Sequence, residues 1–135
     1  MPEGSLEKRR DQLLEAMLVH VPTDGWTWEA LESGTKDLKL HSGESLRAFP
    51  GGICEVADYF AQWSDRRMLK EFEKIDLDSM RIRDRIHFCV KTRLLMNAKY
   101  KEAMRRLLSF LALPQNAGLV SKITWRTCSE IWYAA

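Results

Sequence analysis

The side chains best equipped for proton transfer, nucleophilic attack or metal binding are three histidines, His20, His41 and His87, and three cysteines, Cys54, Cys89 and Cys128. They lie far apart in sequence. No two cysteines form a Cys-x-x-Cys pair or stand in a compact His/Cys cluster, so neither a zinc site nor a disulfide framework is indicated. Buried free thiols in a reducing compartment are the expectation. No Ser-His-Asp order, HExxH helix or glycine-rich phosphate loop occurs. No helix offers the Glu-x-x-His pair that a di-iron bundle requires, and acids such as Glu71 and Glu73 share no face suited to a metal. His20 falls at a helix end, where positive charge is favourable. These residues point away from an enzyme and from any metal or cofactor.

The remaining chemistry is that of surfaces and interiors. Residues 1–50 carry six Lys and Arg against nine Asp and Glu, a net charge of −3, whereas residues 81–110 carry nine against two, a net +7. Lys99, Lys101, Arg105 and Arg106 are candidates to meet anionic headgroups, where each basic residue contributes about 1 kcal/mol near a charged membrane. Plain solvated charge is the alternative. Ile86, Cys89, Val90, Leu94, Met104, Leu107, Leu108 and Leu111 fall on the inward stripes of two helical runs. A ligand tunnel and a packed core both want apolar side chains at that spacing, so periodicity does not separate them. Met96, Met104 and Phe110 would suit an adaptable cavity. Arg93 lies in the same stripe and calls for an acidic partner, Asp84 or Asp58. Farther along, Trp125, Cys128 and Trp132 share one helix face, with Ile123, Thr127 and Ile131 on the next. A helix apolar over so much of its circumference needs neighbours on more than one side. Trp132 is either an interface anchor or a core residue.

The elements that position these residues read as helices throughout. The chain has 135 residues, 45% of them apolar, enough for a real core. Leu6, Leu13, Leu14, Met17, Leu18 and Val21 predict a helix over 6–21 that Pro22 and Gly25 end. Thr27 is placed to cap a second helix. Ser42 is placed to cap a short third one ending near Phe49, before the break Pro50-Gly51-Gly52. A fourth run over 53–73 carries Val56, Tyr59, Phe60 and Trp63 inward, with Ser64 or Asp65 as the cap of a separate piece. Further helices are expected over 80–97, over about 99–112, and from 115–119 to the end. The fold class is therefore all-α, with a helix-turn-helix-like bundle over 1–50 and a second helical bundle over 51–135. No apolar run reaches the ~18 residues of a membrane span, and the first ten residues lack an apolar signal core. A cytoplasmic protein is expected.

Three short helices at the start raise the question of DNA. Within residues 42–49 only Arg47 could reach a base edge or a phosphate. Glu44 would repel the backbone, and the unit as a whole is acidic, whereas nucleic-acid affinity depends on neutralising phosphates. Binding to nucleic acid is not expected.

The stretches "LLEAMLVHVPTDGWTWEAL", "AFPGGICEVADYFAQWSDRRM", "RIRDRIHFCVKTRL" and "LLSFLALPQNAGL" together resemble the ubiquinone (coenzyme Q) biosynthesis accessory family, lipid-binding proteins with a TetR-like fold. The resemblance runs over nearly the whole chain. It is carried most specifically by "IRDRIHFCVKTRL" followed by "ALPQN". It implies a TetR-like fold and a non-catalytic protein that holds a lipid or isoprenoid quinone precursor in its second bundle. It also implies presentation of the quinone intermediate to the pathway's di-iron hydroxylase, a contact to which Ile131 and Trp132 would belong. Location beside the inner membrane, in a bacterial cell, is the matching expectation. The family continues past the tryptophan helix with a Gly-Asp and further helices, so the chain is expected to correspond to about two-thirds of a member. The rivals on the same fold are a TetR-type regulator that binds DNA in response to a ligand, and a scaffold that forms a homodimer through its last helix.

Overall fold

A computed structural model describes residues 3–135; Met1 and Pro2, at the start of the predicted 1–50 unit, lie outside it. The described residues form seven α-helices and no strand: α1 (Glu3–Asp24), α2 (Trp28–Asp37), α3 (Gly43–Ala48), α4 (Ile53–Phe72), α5 (Ile82–Met96), α6 (Lys101–Leu111) and α7 (Ala117–Ala134). Short 3-10 turns over 77–79, 98–100 and 114–116 lead into the last three. The fold is an all-α, TetR-like bundle.

Local signals explain most boundaries. Thr27 caps α2 as expected, its Oγ1 accepting from the Ala30 N–H. Gly25 closes α1 with φ +76° while its N–H bonds the Val21 carbonyl, a backbone conformation that favours glycine. α1 nevertheless runs through Pro22, past its predicted end. A proline this near the terminus removes only one helical hydrogen bond. Ser42 does not cap α3 through its side chain. The Gly43 N–H instead donates to His41 Nδ1, and Ser45 Oγ donates to the Ser42 carbonyl. α4 is a single helix of 20 residues without the break predicted at Ser64 or Asp65. Those two side chains are committed to other helices: Asn97 Nδ2 donates to Ser64 Oγ, and Asp65 takes bonds from α5 and α7.

The main core lies where α1, α2 and α4 converge. Leu13, Leu14, Met17, Leu31, Phe49, Val56 and Phe60 are buried there, and α6 adds Ala103 and Leu107. α1 and α2 approach so closely that a Cβ on Gly34 would lie 2.7 Å from the Met17 nitrogen, so glycine is required at that crossing. A smaller cluster of Met68, Phe72 and Cys89 joins α4 to α5, with Ile131 of α7 against it.

α5 is rotated relative to the sequence expectation. Val90 and Leu94, predicted to face inward, are exposed, Leu94 to 67%, as is Ile82. Cys89 is the residue of this helix that is buried. Polar anchors set the rotation. Arg85 donates to the Leu77, Met80 and Ala135 carbonyls, and Arg93 donates to Asp65. Each satisfies groups that are costly to leave unpaired.

Candidate functional site

The site is built from α4, α6 and α7, which leave a cavity of about 330 Å³ between them, partly open to solvent. α4 supplies Ala57, Phe60 and Ala61. The two alanines, spaced by four, leave space beside the Phe60 ring. α6 contributes Met104, Leu107, Leu108 and Leu111, which recur along one side of that helix. α7 closes the third wall with Val120, Ile123 and Thr124. Leu108, 62% exposed, stands at the rim. Four of the eight residues singled out as lipid contacts thus line one cavity. The other four, on α5, do not: Cys89 is buried against Met68 and Phe72, Ile86 is half-buried, and Val90 and Leu94 face outward. Of the residues suited to an adaptable cavity, Met104 lines it and Met96 and Phe110 do not.

Sequence reasoning missed the α4 and α7 walls. The signal present was the Ala57/Ala61 pair beside a large aromatic residue, a pattern that permits an opening. Sequence reasoning placed Arg93 on the inward stripe with an acidic partner, but named other acids than the one it meets. Arg93 lines the cavity and pairs at 3.1 Å with Asp65, not with the expected Asp84 or Asp58. Asp58 is held instead by Arg126 at 2.6 Å and Lys122 at 3.5 Å. Burial pushes the Asp58 carboxyl up, but the hydrogen bond and charge of Arg126, aided by Lys122 and Gln62, outweigh burial and hold it below the usual carboxylate range.

The thiols divide. Cys89 is buried, and burial pushes its thiol up. Cys54 and Cys128 are exposed, contrary to the expectation of three buried thiols. Among the described residues, no group of three or more His, Cys, Asp or Glu side chains could hold a metal. Among the described residues, no helix is long and apolar enough to cross a membrane.

On the outer side of α7, Trp125 and Trp132 are exposed to 77% and 68%, with Tyr133 beside them and Cys128 on the same side. Ile131 points the other way, toward the α4–α5 cluster. Lys99, in the turn before α6, and Lys101, Arg105 and Arg106 on α6 are all exposed. Lys99 lies 5.0 Å over the Tyr100 ring, Arg105 pairs with Glu102, and Arg106 donates to the Pro22 carbonyl. On the helix-turn-helix, Glu44 of α3 sits between Arg9 at 4.0 Å and Arg47 at 3.8 Å. The one cation of α3 able to read DNA therefore faces its own helix's acid. Arg10 is spent on the Ala48 carbonyl and Glu55.

These features define a TetR-like bundle whose helix-turn-helix-like unit carries a net negative charge and whose later helices leave an apolar pocket. No family model matches the sequence. Its relatives place it all the same: the chain matches the COQ9 family of ubiquinone biosynthesis proteins along nearly its whole length. It is 31% identical to "Ubiquinone biosynthesis protein COQ9, mitochondrial" of Homo sapiens, over 97% of this chain and 43% of that protein. It is 31% identical to the protein of the same name from Rattus norvegicus, over 97% of this chain and 44% of the relative. Against the Drosophila melanogaster protein it is 26% identical over 85% of this chain and 36% of the relative. The chain thus spans less than half the length of these relatives, where about two-thirds was expected. They are animal proteins and lend no support to a bacterial source.

Proposed function

We propose that this chain is a non-catalytic accessory protein of ubiquinone biosynthesis that binds a lipid or isoprenoid quinone precursor and presents it to the pathway's di-iron hydroxylase. The observation that carries the reading is the cavity between α4, α6 and α7, walled almost entirely by apolar side chains. Its volume of about 330 Å³ falls at the small end of ligand sites, ~300–1,000 Å³. At ~30 Å³ per water-sized group it holds on the order of ten heavy atoms, so a long tail must leave through the open side. Burying each methylene gains about 0.8 kcal/mol, which makes an isoprenoid end a suitable occupant. Met104, Leu107, Leu108 and Leu111 are the contacts proposed from α6; Ile86, Cys89, Val90 and Leu94 of α5 could take part only after a rearrangement.

Trp132, with Ile131 behind it, is the proposed contact for the hydroxylase; an exposed tryptophan beside other aromatic residues is a common hot spot. Lys99, Lys101, Arg105 and Arg106 would lie toward an anionic membrane, and the relatives' names favour a mitochondrial one. The rival reading, a DNA-binding regulator, shares the fold. It is disfavoured by the acidic helix-turn-helix unit and by the pairing of Arg47 with Glu44.

Native mass spectrometry of the protein purified from cells, followed by organic extraction, tests the proposal. Co-purification of an isoprenoid or phospholipid in stoichiometric amount is expected. Protein that emerges lipid-free and takes up no added prenyl lipid would refute it.

A further inference from the structure

We infer that Arg93 reads the head of the pocket's ligand, and that the head it selects is an uncharged oxygen acceptor such as a ketone or quinone carbonyl, not a carboxylate or phosphate. The inference rests on the proposed ligand site. Among the described residues, Arg93 is the only charged one lining the cavity, where the other lining side chains are apolar except for Thr124. Its Nε donates to Asp65 Oδ1 at 3.1 Å, and Thr127 Oγ1 lies 3.1 and 3.0 Å from the two oxygens of the same carboxylate. The Asp65 side chain is only 5% exposed and that of Arg93 20%. A guanidinium has five N–H donors in a fixed fork. Among the described residues, Nε alone makes a hydrogen bond, so both terminal nitrogens keep their donors. Those nitrogens are not sealed in the interior.

The charge preference follows from the same pair. Asp65 already balances Arg93, and it cannot move away while Thr127 and Arg93 hold it. A second anion against Arg93 would meet the Asp65 charge at short range in a poorly screened setting. The nearest cations on α7, Lys122 and Arg126, are committed to Asp58. A neutral carbonyl pays no such repulsion and takes the free N–H groups. The pocket would therefore bind an amphiphile with its apolar part along α6 and its carbonyl at the α5 edge.

The test uses three probes of similar size: hexylbenzene, 4-hexylacetophenone and 4-hexylbenzoate. Their affinities are measured by isothermal titration calorimetry on the 135-residue chain. The ketone is expected to bind about tenfold more tightly than hexylbenzene, as one hydrogen bond to a charged donor allows, and the benzoate more weakly than the ketone. In Arg93→Gln combined with Asp65→Asn, which removes both charges together, the ratio of ketone to hexylbenzene affinity should fall to about one. Arg93→Lys, which preserves the ion pair but not the fork, guards against a folding defect in the double variant and should lose most of the same advantage. Hexylbenzene binding as well as the ketone in the unaltered chain would overturn the inference while leaving the pocket reading intact. So would a benzoate that binds best, or a ketone advantage that survives both variants. If hexylbenzene itself failed to bind, the pocket reading and this inference would fall together.

Discussion

The first four helices and the last three handle apolar side chains in opposite ways. Among the described residues, eighteen of the twenty-one buried apolar residues lie between Leu13 and Phe72, and only Cys89, Ala103 and Leu107 come later. Large exposed apolar residues reverse the ratio: Val19, Leu38 and Leu46 in the first part, nine from Ile82 to Tyr133 in the second. Composition does not explain the difference, since helices of similar length and apolar content occur in both. What differs is how the helices are tied. α1, α2 and α4 close over interlocked side chains, with Gly34 letting two backbones nearly touch. α5 and α7 are held to α4 by one small apolar cluster and by separate polar bonds, Asp65 to Arg93 and Thr127, Asp58 to Arg126, Ser64 to Asn97. Point contacts of that kind fix a helix without filling the space beside it, and a cavity survives next to them. The first half is a finished core, and the second keeps apolar surface available for something else to cover.

The largest effect that would break this comparison comes from the finished core. Phe49 is fully buried, its ring edge-on to Tyr59 with the Arg10 guanidinium 5.7 Å above it. Phe49→Ala should cost about 3–5 kcal/mol of stability, from lost burial and the cavity left behind, measured by urea denaturation. A loss below about 1 kcal/mol would mean that the first half is loosely packed too, and that the contrast is one of exposure only.

How much of this could be read from the chain follows the same division. The helices, the Thr27 cap and the break at Pro50 were legible because each depends on residues within one turn of one another. The rotation of α5 was not. Its spacing suggested Ile86, Cys89, Val90 and Leu94 as the inner face with Arg93 among them, but only Cys89 and Arg93, in line with Arg85 at intervals of four, make the face that docks. That narrower stripe was present in the sequence. Only knowledge of the acceptors waiting on α4 and at the chain's last carbonyl could rank it first. Ser64 and Asp65 misled for a related reason: the chemistry that caps a helix also bonds to a neighbouring one. The α6 wall of the cavity was readable from periodicity, whereas its α4 and α7 walls exist only once the helices are assembled.

A smaller effect sharpens the contrast at the polar seam. Asp58 titrates below the ordinary carboxylate range in the folded protein, so its bond to Arg126 contributes fully above about pH 4, its unfolded value. The contribution is lost as pH falls through the lower, folded value. Asp58→Asn should therefore destabilise the protein at pH 6 but differ little from the unaltered chain near pH 2. Amide hydrogen exchange over a descending pH series should show α7 losing protection before α1 and α2. Equal loss in all helices would place the Asp58 bond outside the control of α7 docking.

The smallest effect is the most telling about the open half. Trp125 and Trp132 are large side chains in solvent, and replacing a surface residue that touches little usually changes stability by less than about 0.5 kcal/mol. Trp125→Ser with Trp132→Ser should accordingly leave the thermal midpoint of the isolated chain almost unchanged, although the pair removes more apolar area than Phe49→Ala. An indole left in water contributes to folding only what its neighbours on the same helix provide. If the midpoint fell by several degrees at high protein concentration but not at low, the two tryptophans would be covered by a second copy of the chain, and the exposed face would be a dimer surface. If it fell equally at both, α7 would pack more deeply than its 68–77% exposures imply, and the division into closed and open halves would have to be redrawn.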